Sequence, residues 1–155
     1  MAPQENQGSA LSHVNEEGRA RMVDVGAKPE QQRVARARGK IRLAPETVRL
    51  VAANLIKKGD VLTLAEIAGV QVAKRTPEWI PLCHTLLLTG ITVKAALEED
   101  GVTITSEVTC HGRTGVEMEA LTAVSAALLT VYDMCKAVDK HMIIGDIVLT
   151  EKAKS

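Results

Sequence analysis

The sequence predicts an α+β domain in which helices cover one face of an antiparallel sheet, and three observations predict it. Residue patterning runs in the order strand, two short helices, strand, strand, long helix, strand. An acidic tip, Glu98-Glu99-Asp100-Gly101, separates two strand-like stretches and so marks a hairpin. Thirteen uncharged residues lie between Glu119 and Asp133, which confines the charges of a long helix to its ends. This order is that of the split βαβ, ferredoxin-like sandwich, here with an extra short helix after the first.

Taken in order, Ala20 to Val25 alternates enough for a short strand, closed by Gly26 and Pro29. From Arg36 to Arg42 basic residues alternate with Ala37, Gly39 and Ile41, which makes Arg33 to Leu43 a strand with one wet face. Pro45 sits where a first helical turn tolerates it. Leu50, Val51, Asn54, Leu55 and Lys58 follow helical spacing up to a stop at Gly59. Asp60 can cap a second helix, carrying Leu62, Ala65, Glu66, Ala68 and Val72, that ends before Thr76-Pro77. After a turn at Pro77 to Pro81 come the two hairpin arms, Leu86 to Leu97 and Val102 to Thr109. His111 to Gly115 leads into the long helix, and Ile147, Val148 and Leu149 after Gly145 form the last strand.

The chain of 155 residues suits one domain that buries roughly two thirds of its unfolded surface. We place it at residues 13–155, with residues 1–12 a polar, disordered tail. Nineteen basic residues balance nineteen acidic ones, which removes any global argument for nucleic-acid or membrane-surface binding. With no phenylalanine, one tryptophan and one tyrosine, the core must be aliphatic and base-stacking platforms cannot be built. Cys83, Cys110 and Cys135 are odd in number and widely spaced, as in a reducing compartment. The longest uncharged run falls short of the ~20 residues that span a bilayer. A soluble, cytoplasmic protein without a membrane or nucleic-acid partner is expected.

The chemistry-bearing groups sit at element ends. Asp133 and Lys136 share a helix face at i,i+3 spacing; their bland reading is a solvated ion pair at a helix C-terminus, where lysine is favoured anyway. Lys57-Lys58 and Lys74-Arg75 each close a helix, either for that same electrostatic reason or to neutralise a polyphosphate. Gly112-Arg113-Thr114-Gly115 precedes a helix start and can bind an anion or serve in capping, since Glu117 and Glu119 follow at once. Cys83-His84 and Cys110-His111 have the composition of a zinc set, but adjacent residues in extended chain point to opposite faces. No metal site is expected. A Walker A sequence and a G-x-G-x-x-G are both absent. The long helix is apolar nearly all round, which implies cover from another copy of the chain.

Together, Ala73-Lys74-Arg75-Thr76, Ile80-Pro81-Leu82-Cys83-His84, Thr114-Gly115-Val116-Glu117-Met118-Glu119-Ala120-Leu121-Thr122 and Tyr132-Asp133-Met134-Cys135-Lys136-Ala137-Val138 resemble the signature segments of the MoaC family, the cyclic pyranopterin monophosphate synthases of molybdenum-cofactor biosynthesis. The resemblance extends from about Ser12 to Glu151; Thr85 stands where the family usually has proline. It implies a diphosphate-releasing lyase that rearranges a cyclised dihydroguanosine triphosphate, derived from GTP, to cyclic pyranopterin monophosphate. By residue-wise carry-over, Asp133 matches the assigned catalytic residue, and Lys136 and Lys58 join it as catalytic. Leu82, Cys83, His84, Met118, Glu119, Glu117 and Lys74 match positions that bind substrate. The resemblance also implies a hexamer built as a trimer of dimers. No redox cofactor is demanded, and a divalent cation carried by the triphosphate is compatible with the chemistry.

The family pattern assigns both ends of the long helix to one pocket. Glu117 and Asp133 are sixteen residues apart, about 24 Å at ~1.5 Å per residue, and face nearly opposite sides at ~3.6 residues per turn. A site shared between two subunits reconciles the two facts. The alternative reading is a regulatory, small-molecule-binding ferredoxin-like module without catalysis; Asp133 and Lys136 joined to His84 argue against it, because a pure sensor has little use for an acid and a lysine so placed. A purely structural oligomer leaves the basic helix ends without a ligand.

Overall fold

The computed structural model describes residues 14, 15 and 17–155; the tail assigned to residues 1–12 lies outside them. Strand β1 (Gln31–Arg42) turns the small-and-basic alternation into two faces. Ala35, Ala37, Gly39 and Ile41 point into the core, while Arg36, Arg38 and Arg42 are exposed. On the wet face Arg36 donates to Glu107 and Glu151, and Lys40 pairs with Glu98 and Asp100 at 2.7 Å each.

The first helix is shorter than its spacing suggests. Helix α1 (Pro45–Ala52) stops seven residues before Gly59. Asn54, at φ +53°, takes the left-handed position. The Asn54 N–H donates to the Val51 carbonyl and the Leu55 N–H to the Leu50 carbonyl, at 3.1 and 2.8 Å. These two bonds form a Schellman stop in which asparagine does the work usually given to glycine. Lys57 and Lys58 consequently lie in a turn between helices and not at a helix end. Helix α2 (Val61–Ala73) begins as its sequence predicts, with the Asp60 carboxylate accepting the Thr63 N–H at 3.0 Å. The expected turn around Pro77 is a one-turn helix, α3 (Thr76–Trp79).

Strands β2 (Leu88–Glu98) and β3 (Gly101–Gly112) form the hairpin, with Glu99-Asp100 as the turn. Gly101 is required there: at φ +152° an added Cβ would come within 1.9 Å of the Ile41 carbonyl oxygen. Helix α4 (Glu117–Cys135) and strand β4 (Ile143–Lys154) complete the chain. The sheet is wholly antiparallel, in the order β2-β3-β1-β4, so the α+β, ferredoxin-like expectation holds. Ala20 to Val25 does not join it: Ala20 makes an isolated bridge to Val14, and residues 21–25 have no regular pairing. Val23 is held by a side chain, His84, and not by a strand.

Helix α4 is covered from two directions within one chain. Strands β1, β3 and β4 lie beneath it and α2 runs beside it. Ala120, Ala123, Val124, Ala127, Leu128 and Val131 are buried, which leaves Leu129 and Tyr132 as its exposed apolar groups. Helix α2 supplies much of the cover that the apolar girth of α4 calls for, so that girth alone does not require a second copy. By length and composition alone α4 could cross a bilayer; its packing makes it the core helix.

The contact between α2 and α4 is close enough to require glycine. A Cβ at Gly69 would lie 2.9 Å from the Ala123 carbonyl oxygen and 2.9 Å from Val93 Cγ1. Helix propensity favours Gly69→Ala by about 1 kcal/mol, whereas forcing a methyl into a packed seam costs about 1–3 kcal/mol. Urea unfolding should find the variant less stable than wild type, and a stabilised variant would show that the two helices are not in close register.

Candidate active site

Three charged groups meet where α4 ends. Asp133 lies on its last turn, Lys136 caps it, and Lys58 comes from the loop between α1 and α2. That loop reaches the helix end because Asn54 and Gly59 both adopt positive φ. Lys58 Nζ lies 2.6 Å from Asp133 Oδ2 and donates to the Asp133 carbonyl at 2.9 Å. Lys136 Nζ lies 2.6 Å from Asp133 Oδ1. One carboxylate thus holds two ammonium groups, so the cluster keeps a net positive charge. The hydrogen bond from Lys136 first, and then that from Lys58, pull the Asp133 carboxyl down to about 2, while Asp133 raises Lys136. All three side chains are about half exposed, so water screens the pairs and they add little to stability. Their arrangement suits an anionic ligand.

A second cluster gathers at the other end of α4. Glu119 is 2 % exposed. Its Oε1 accepts from the Cys83 thiol at 3.8 Å, and its Oε2 is buried with no hydrogen-bond partner among the described residues. Burial pushes the Glu119 carboxyl above the usual range. Burial and the neighbouring Glu119 push the Cys83 thiol up to about 11, which argues against a thiolate nucleophile. The orphan oxygen marks a place where a ligand group would complete the site. Leu82, Cys83, His84 and Met118 are half-buried, and His84 Nε2 lies 2.6 Å from the Val23 carbonyl oxygen.

Beside this cluster Glu117 lines a cavity of about 330 Å³ with Arg33, Lys152 and Lys154. Glu117 is 3.6 Å from Lys152. Register explains why the sequence did not single out these cations. Strand β4 pairs with β1 so that Lys154 lies opposite Arg33, a juxtaposition that no local pattern encodes. A Cβ at Gly115 would lie 1.9 Å from Glu117 Oε2, so the Glu117 carboxylate lies against the backbone that leads into α4.

Several expected partners are kept apart. Lys74 caps the far end of α2 and is exposed, so it lies roughly 20 Å along that helix from the Lys58 loop. It lines a separate groove with Ile91 and Leu86. Cys110 is buried while His111 is exposed on the opposite side of β3, as an extended backbone requires. Glu119 and Asp133 are fourteen residues apart on one continuous helix, about 21 Å. One protomer thus presents two half-sites.

Comparison with known proteins gives the family. The chain is 56% identical over 147 residues, 94% of its length and 93% of the relative's, to the cyclic pyranopterin monophosphate synthase of Roseiflexus sp.. It is 50% identical over 142 residues, 92% and 90% of the two lengths, to the protein of that name in Peptoclostridium acidaminophilum. Molybdenum cofactor biosynthesis protein 1 of Drosophila melanogaster is 52% identical over 147 residues, 94% of this chain and 26% of that longer protein. A family model matches residues 22–155, and the chain belongs to the MoaC family.

Proposed function

We propose that the chain is a cyclic pyranopterin monophosphate synthase of molybdenum-cofactor biosynthesis. It takes the cyclised dihydroguanosine triphosphate to cyclic pyranopterin monophosphate and diphosphate. The observation that carries the reading is the carboxylate of Asp133 shared by Lys58 and Lys136 at 2.6 Å each. Expelling diphosphate spreads negative charge over several oxygens, and two preplaced ammonium groups stabilise that charge without reorganising. Asp133, held down to about 2, stays ionised at neutral pH. Its role is to aim the lysines, and proton delivery falls to Lys58 and Lys136.

The buried end does different work. A Glu119 carboxyl raised by burial retains its proton more readily and can donate to the edge of the purine-derived ring. His84, with Leu82, Cys83 and Met118 around it, completes the ring pocket. Glu117 and Lys74 bind the substrate's polar periphery. The reaction is a phosphorus–oxygen lyase step that needs no redox cofactor, and any divalent ion arrives with the triphosphate. We place the enzyme in the cytoplasm as a homohexamer, a trimer of dimers, with each site formed between subunits. The separation of the two half-sites along one helix supports that assembly.

Incubating the pure protein with the cyclised triphosphate should yield diphosphate and a cyclic phosphate product. Formation of neither by folded protein would return the chain to the regulatory-module reading. Lys136→Ala should lower turnover by ~10²–10⁴-fold with an unchanged circular dichroism spectrum; near-normal turnover would remove Lys136 from the mechanism. Inactive Glu119→Ala and Asp133→Ala chains, mixed and allowed to exchange, should regain part of the wild-type activity. If exchange is verified by mass spectrometry and activity stays at the level of either mutant, the shared site is wrong.

A further inference from the structure

Asp139 lies outside every signature segment and every residue placed in the site above, yet it is a buried carboxylate, 4% exposed. It sits three residues beyond Lys136, and its own N–H donates to the Cys135 carbonyl at 3.0 Å. Its Oδ2 accepts the Ala44 N–H at 2.7 Å and the Thr47 hydroxyl at 3.0 Å, and its Oδ1 accepts the His141 N–H at 3.1 Å. Thr47 is 1% exposed. Helix α1 has no side-chain cap of its own at Ala44. Asp139 supplies one from ninety-five residues away, bonding the cap residue's N–H as the acid at the third helical position of a capping box ordinarily does.

The consequence is geometric. Helix α1 leads through the Schellman stop to the loop that carries Lys58, and the segment after α4 carries Lys136 and Asp139. These two pieces of chain are joined at the charged end by Lys58 and Asp133 and behind it by Asp139, Ala44 and Thr47. The front joint is half exposed and yields to water or to an incoming phosphate. At the rear joint Asp139 and Thr47 are buried, so breaking their bond leaves polar groups unpaired out of water.

We propose that Asp139 is a positioning residue for the reaction: by pinning the start of α1 to the segment after α4 it sets the spacing between Lys58 and the Asp133–Lys136 pair. Its kinetic consequence rests on the synthase reading; its geometric consequence does not.

The test is Asp139→Ala, with Thr47→Val, which removes one donor, and Asp139→Asn, which retains an acceptor for the Ala44 N–H. In folded Asp139→Ala, kcat should fall by up to ~10²-fold, the scale of a 1 Å misplacement, with KM little changed. The Asp133 carboxylate, followed by carbon-detected NMR in the ligand-free protein, should titrate higher than in wild type because Lys58 is no longer held against it. Thr47→Val should show smaller changes in the same directions, and Asp139→Asn should recover most of both. If Asp139→Ala does not fold, Thr47→Val and Asp139→Asn carry the test on both readouts. Unaltered kcat and unaltered Asp133 titration in a folded variant would overturn the proposal, as would a fall in kcat with Asp133 unmoved. A wild-type protein inactive on the cyclised triphosphate would refute the synthase reading while the titration arm still read the spacing.

Discussion

Burial of α4 is the constraint on which the rest of the structure depends. A helix packed on a sheet with α2 along its side cannot carry an unpaired ionised group on its buried faces, because that costs several kcal/mol. The residues from Ala120 to Tyr132 are accordingly uncharged. The ionisable groups lie at the two ends, Asp133 half exposed and Glu119 buried. The same packing that makes α4 the core helix therefore makes it a rigid spacer about 21 Å long between Glu119 and Asp133. Groups carried by the helix itself, Glu119 and Asp133, inherit the rigidity of the core, and Lys58 reaches Asp133 from a loop.

The two ends are tuned in opposite directions. At the exposed end, hydrogen bonds from Lys136 and Lys58 favour the ionised form of Asp133. At the buried end, desolvation disfavours the ionised form of Glu119 and no cation among the described residues is bonded to it. Two carboxyl groups on one helix are thus separated into an anion that orders ammonium groups and an acid biased towards its neutral, donating form. Environments that push like groups apart distinguish their roles, and neither effect comes from the residue type alone.

Much of this was legible in the sequence, for physical reasons. The alternation from Arg36 to Arg42 states which face of β1 is wet, and the uncharged run states where α4 is buried. Asp60 announces a cap that the structure realises at Thr63. The failures are also physical. Asn54 replaced glycine as a helix stop, which a search for glycine overlooks. The cover of α4 by α2 depends on Gly69 lying against Ala123, a contact between segments more than fifty residues apart. Spacing ties Asp133 to Lys136, but only the path of the α1–α2 loop brings Lys58 to them. Arg33 and Lys154 meet through strand register.

The position of Lys58 explains why an eight-residue helix lies between the first strand and α2. A direct connection from β1 to α2 would omit Ala44, Thr47 and Lys58, the residues that reach the C-terminal end of α4. The excursion through α1 instead returns to it twice, first at Ala44 and Thr47 against Asp139 and then at Lys58 against Asp133. Short helices are marginal without tertiary support, and α1 has no cap of its own. The start of α1 and Lys58 are therefore both tied to the C-terminal end of α4, the first through Asp139 and the second through Asp133.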